Sequence, residues 1–186
     1  EHVDEDQVMA EVMTEKADYA RKGIGRGRSS VTLECAEGVL LMAENPSSLS
    51  KIGEIYDRIA FAGGGKFSEF DQLRKICVRF CDVRGYAYSR EDVRAKALAN
   101  AYSQAIGDVF TQQMKPLEAE VIVAEVGDPH LLGQEKNTLY RVQFDGSIRG
   151  TKFASPGVIF AVVALVLFAT MSIGSDIVID QASWIE

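Results

Sequence analysis

The chain has 186 residues and a mass of 20.4 kDa; 47% of its residues are hydrophobic and 25% charged, enough apolar side chains for one core and too few charges for bulk disorder. A net charge of −7 excludes the broad basic face that releases counterions from nucleic acid, so no nucleic-acid partner is expected. The charges are unevenly placed: all 20 basic residues fall in the first 152, and only Asp176, Asp180 and Glu186 follow.

Residues 7–24 (QVMAEVMTEKADYARKGI) set Val8, Val12, Tyr19 and Ile24 at helical spacing among charges, which predicts an amphipathic helix. Gly23, Gly25 and Gly27 punctuate its end in the basic loop IGRGRSS. Two short apolar runs, 31–34 and 38–44, meet at Ala36-Glu37-Gly38 and predict a hairpin. After a polar loop at 45–50, residues 52–62 (IGEIYDRIAFA) read as one or two strands, ended by Gly63-Gly64-Gly65 in a tight strand-to-helix junction. Phe67, Phe70, Leu73, Cys77 and Phe80 trace one stripe of a helix. Ser89 to Asp92 (SRED) has a capping-box pattern with Asp in place of Glu; it predicts a second helix with Val93, Ala97, Leu98, Ala101, Ala105, Ile106 and Val109 buried. Residues 118–126 and 138–144 alternate as strands, the latter ending at the Asp145-Gly146 turn. This order predicts an α+β layered domain whose helices cover a sheet.

The tail reads differently. No charge occurs from Phe153 to Ser175, and a helix of ~20 residues at ~1.5 Å each spans a ~30 Å hydrocarbon layer, so the length criterion for a membrane span is met. Arg149 and Lys152 before it would hold the main domain on the cytoplasmic side.

Recognisable catalytic patterns are few. Cys35, Cys77 and Cys81 form an odd, sparse set that suits a reducing compartment rather than a disulfide framework. Cys77 and Cys81 have the spacing of half a metal site on a helix, but His2 and His130 are the only further soft ligands; buried thiols and no metal are expected. Gly63-Gly64-Gly65-Lys66 lacks the remainder of a phosphate-binding loop, since Ala60 and Phe67 hold the positions that need Gly and Ser or Thr; no cofactor is expected. A nucleophile-elbow motif is absent. Arg21, Lys22, Arg26 and Arg28 form a local basic run, read either as a solvated helix end or as an aid to capturing a partner's carboxylate.

Four segments, DYARKGIGRGRSSVTLECAEGVLLMAENPS (18–47), KIGEIYDRIAFAGGGKFSEFDQLR (51–74), DVRGYAYSREDVRAKALANAYSQAIGDVFTQQMKPLEAEVIVAEVG (82–127) and LYRVQFDGSI (139–148), closely resemble the α-type subunits of the 20S proteasome in their actinobacterial form. The similarity spans about residues 6–148. It implies the N-terminal nucleophile hydrolase fold, an αββα sandwich incomplete here at its C-terminal side, in a heptameric α ring that caps β rings. The implied organisation is a gate segment and helix over 1–28, the first part of the sandwich over 29–150, and an unmatched tail over 151–186.

The resemblance also implies function. In related β subunits a processed N-terminal Thr attacks the peptide carbonyl, whereas the corresponding column here holds Arg28 behind an uncleaved helix, so no catalytic residue is expected although Glu44 and Lys51 occupy columns of a β-type acid and base. By resemblance, Lys51 pairs with the C-terminal carboxylate of a ring-shaped AAA ATPase activator, and amides near Gly27 approach the docked tail. The implied partners are other α subunits, β subunits, that ATPase and proteins tagged by a ubiquitin-like modifier, in the cytoplasm. The sequence lacks the Tyr-Asp and Phe-Ser-Pro signature that opens archaeal and eukaryotic relatives, as expected of the actinobacterial branch. A β-type threonine peptidase and a membrane-tethered truncated module are the alternatives. The tail itself has three readings: a truncated or frame-shifted gene, a membrane anchor, or a diverged core helix and strand. The absence of an opening Met is expected of a fragment or a trimmed chain.

Overall fold

A computed structural model describes residues 5–35, 38–44, 49–130 and 136–150. Helix α1 (Glu5–Gly25) leads into strands β1 (Ser30–Cys35) and β2 (Gly38–Ala43), which pair as the expected antiparallel hairpin from Ser30 opposite Ala43 to Cys35 opposite Gly38. Strands β3 (Ile52–Tyr56) and β4 (Ile59–Gly65), helices α2 (Phe67–Ala87) and α3 (Ala95–Gln112), and strands β5 (Ala119–Glu125), β6 (Thr138–Val142) and β7 (Ile148–Gly150) follow. The last five strands form one antiparallel sheet in the order β3-β4-β5-β6-β7.

Alternation along the strands divides that sheet between two cores. Ile59 and Phe61 of β4, Val121 and Val123 of β5, and Val142 of β6 pack with Phe70, Leu73, Cys77 and Cys81 of α2 and Leu98, Tyr102 and Ile106 of α3. The intervening Ala60, Ala62, Ala124 and Leu139 pack with Leu41 of the hairpin. Alanines on this face let the second sheet approach closely. Helices, five-stranded sheet and hairpin thus stack as layers of an α+β fold, as the resemblance to N-terminal nucleophile hydrolases implies.

Several sequence-based expectations shift. The triglycine does not end the strand: Gly63, Gly64 and Gly65 pair with Val121, Glu120 and Ala119 as the last residues of β4. A Cβ at Gly63 would overlap the Phe70 ring where α2 crosses the sheet. Gly65 adopts φ +90°, and its missing side chain leaves room for the Glu118 carbonyl. Ser89 caps a short 3-10 turn (Arg90–Asp92), its Oγ accepting from Glu91 N at 3.3 Å, and not the long helix. Helix α3 starts later and buries Ala95, Leu98, Ala99, Tyr102 and Ile106, whereas Ala105 is exposed and Ala97, Ala101 and Val109 are half-buried.

Helix α1 forms as predicted, but Val8, Val12 and Tyr19 of its apolar stripe are exposed. Its C-terminal half meets the body: Lys16 Nζ donates to the Phe110 carbonyl at 3.2 Å, Tyr19 Oη donates to Glu118 Oε1 at 3.3 Å, and Ala20 and Gly23 are buried. No helix among the described residues is long and apolar enough to cross a membrane, and the 153–175 segment lies outside those residues.

Candidate functional site

Residues brought together from three parts of the chain form a charged cluster near the end of α1. Lys51, just before β3, is fastened by its own carbonyl, which accepts from Gly63 N at 2.8 Å. Its side chain turns inward, leaving the residue only 9% exposed, and Nζ donates to the main-chain carbonyl of Arg28. Arg28, between α1 and β1, pairs through Nη1 with Glu44 Oε1 at the end of β2. Glu44 N in turn donates to the Ser29 carbonyl at 3.5 Å, closing the open end of the hairpin. Burial holds the Lys51 ammonium below the usual lysine range; Glu44 acts in the opposite direction and Arg28 in the same one.

Gly27 precedes Arg28 in the chain and packs against Gly65 and Ile24. Its N–H donates to the Ile24 carbonyl at 2.9 Å, and a Cβ there would lie 3.0 Å from Gly65 N and 3.1 Å from the Ile24 carbonyl oxygen. A glycine at 27 therefore lets the end of α1 come against the end of β4. Two cations and one anion thus lie together, and cations of this kind can receive a carboxylate by charge-assisted hydrogen bonding.

The basic run does not act as one cluster. Arg21 pairs with Asp18 at 3.2 Å and lies over the Phe144 ring with its guanidinium carbon 5.5 Å from the centroid; Lys22 and Arg26 are exposed, and only Arg28 joins Lys51 and Glu44. Lys66, after the triglycine, pairs with Glu69 at 3.1 Å, and Glu69 accepts from Glu118 N at 2.7 Å, so this lysine supports the carboxylate that ties α2 to the start of β5. His130 is exposed; His2 lies outside the described residues. Among the described residues, no group of three or more His, Cys, Asp or Glu side chains is placed to hold a metal ion.

Cys77 and Cys81 are buried free thiols; burial pushes Cys77 up to about 11 and Cys81 up to about 12. Both are therefore protonated at pH 8, where the thiolate is the reactive form. Iodoacetamide at pH 8 should leave these two residues unmodified in the native chain and label both in denaturant, as read by peptide mass mapping. Rapid native labelling of either would show that the α2 core opens readily.

The sequence reading missed Glu125. It is 2% exposed, pairs through Oε1 with Arg94 Nε at 2.7 Å, and accepts the Ala95 N–H on Oε2 at 2.8 Å, capping α3 from the neighbouring strand. The signal was present: alternation places Glu125 on the same face as Val121 and Val123.

A family model described as Proteasome subunit matches residues 24–165. The chain belongs to the proteasome subunit family. Among its relatives, Proteasome subunit alpha of Paenarthrobacter aurescens (strain TC1) is 58% identical over 139 residues, covering 74% of this chain and 57% of that protein. Proteasome subunit alpha of Arthrobacter sp. (strain FB24) is 57% identical over 143 residues, 76% of this chain and 59% of that protein. That of Renibacterium salmoninarum is 57% identical over 139 residues, with 74% and 56% covered. The chain thus spans under three fifths of the length of these proteasome subunits. The family match continues beyond residue 148, where the resemblance read from individual segments stops, and takes in the first part of the apolar tail.

Proposed function

We propose that this chain is a non-catalytic α-ring subunit of the 20S proteasome core, working in the cytoplasm to form a heptameric ring with other α subunits, seat β subunits and gate substrate entry. The observation that carries this reading is the 58% identity, over 139 residues, to a protein named Proteasome subunit alpha. Arg28 supports the absence of catalysis: a guanidinium, paired with Glu44, stands in the column where β subunits carry the Thr nucleophile. In this reading Lys51 receives the C-terminal carboxylate of a ring-shaped ATPase that delivers tagged proteins, with the amides near Gly27 lying along the docked tail. The buried, hydrogen-bonded setting of Lys51 favours such a role over that of a solvated surface lysine.

Co-expression with β subunits, followed by size-exclusion with light scattering, tests the assembly. A ring-sized particle containing an uncleaved chain by intact mass is expected. Peptide hydrolysis by the chain alone, or a monomer that never joins β subunits, would overturn the proposal. For the docking site, Lys51→Ala should weaken binding of a peptide with a free C-terminal carboxylate about tenfold or more, the scale of losing a charge-assisted contact. Equal binding by the variant sinks the assignment of Lys51.

A further inference from the structure

The Lys51 cluster contains an ion pair to which the docking role assigns no task. Arg28 and Glu44 are half-exposed, with 48% and 35% of their side-chain surfaces accessible. Pairs so exposed add little to stability. Their position, not their strength, is what distinguishes them: the main-chain carbonyl of Arg28 is the acceptor for Lys51 Nζ, and its guanidinium holds the Glu44 carboxylate in the same cluster.

We propose that Arg28 and Glu44 are positioning residues that tune the local charge a docking carboxylate meets at Lys51, Arg28 engaging the Glu44 carboxylate so that it competes less for the lysine. The inference rests on the reading of Lys51 as a carboxylate receptor and adds what determines its affinity. With all three groups ionised, these three side chains carry two positive charges and one negative. Without Arg28 the Glu44 carboxylate is the ready partner for the lysine, so an incoming carboxylate meets a neutral pair and a competitor. Without Glu44, two cations face the incoming group. Both side chains act electrostatically on the lysine in the senses this requires, Glu44 favouring its protonated form and Arg28 opposing it.

Substitution separates charge from structure here. Because Lys51 bonds to the backbone carbonyl of residue 28, Arg28→Ala removes the guanidinium without removing the lysine's acceptor. In the assembled full-length particle, the probe is a fluorescein-labelled penta-alanine with a free C-terminal carboxylate, compared with the same peptide as its C-terminal amide. Arg28→Ala should weaken carboxylate binding and Glu44→Gln strengthen it, each by about fivefold, the effect of one unit charge a few ångströms away in a largely aqueous setting. The double variant should return to near the wild-type value. If the pair served only to brace the hairpin, both single variants would weaken binding and the double would be no better.

A second readout, the NMR titration of the Lys51 side chain, should move up in Arg28→Ala and down in Glu44→Gln whether or not a peptide is present. If the wild type binds carboxylate and amide equally, the docking reading fails. If the wild type prefers the carboxylate but the single variants do not move in opposite directions, or the Lys51 titration does not shift, the positioning role fails while docking stands.

Discussion

Replacing Glu125 with alanine is expected to destabilise the chain by about 3–5 kcal/mol, because one side chain there serves two buried partners. Ala95 is fully buried, and its N–H has Glu125 Oε2 as acceptor; left unpaired it alone costs about 1–3 kcal/mol. Arg94 would lose the carboxylate that balances its partly buried charge. Glu125→Gln keeps an oxygen for the helix cap and loses only the charge, so its loss should be smaller. Arg94→Ala, which strands a carboxylate that is 2% exposed, should be as damaging as removing the acid. Urea unfolding of the four proteins, with the Glu125→Ala, Arg94→Ala double variant added to complete the cycle, measures the coupling directly. A loss below about 1 kcal/mol for Glu125→Ala would mean that water reaches the α3 terminus and replaces the cap.

Phe61→Ala should produce a comparable loss, about 3–5 kcal/mol, through a different cause. Phe61 is fully buried, with the Phe70 and Tyr102 rings each 6.3 Å from its own, centroid to centroid, so it joins β4 to both α2 and α3. Backbone on three elements prevents the cavity from collapsing. The consequence extends to the candidate site, because Gly63, two residues along the same strand, holds the Lys51 carbonyl. Phe61→Leu, which fills much of the space, should recover a good part of the stability. Unfolding in urea reports the energetic loss, and a faster exchange of the Gly63 amide would show that the strand end has loosened. An unchanged Gly63 amide in a clearly destabilised Phe61→Ala protein would separate the core from the site.

Much of the secondary structure could be read directly from residue order because its causes are local. Short apolar runs at 31–34 and 38–44 and alternation in 118–126 and 138–144 mark strands, and the three-and-four spacing of Phe70, Leu73 and Cys77 marks α2. The failures share one reason. Glycines usually break strands, yet Gly63 and Gly65 continue β4 because the Phe70 ring and the Glu118 carbonyl occupy the space their side chains would need. Ser-Arg-Glu-Asp looks like a helix start, yet the cap of α3 comes from Glu125, thirty residues further on.

The candidate site divides in the same way. Residue types and their order were sufficient for the family, for the α+β class, and for singling out Lys51 and Gly27 by resemblance. What only the tertiary structure decided is that Lys51, Arg28 and Glu44 come together in one cluster, and that Arg28 separates from Arg21, Lys22 and Arg26. Lys51 is 23 residues from Arg28, and Arg28 is 16 from Glu44. Those separations are bridged by the β1–β2 register and by the bond from Gly63 to the Lys51 carbonyl, long-range pairings that no local pattern of charge or hydrophobicity encodes.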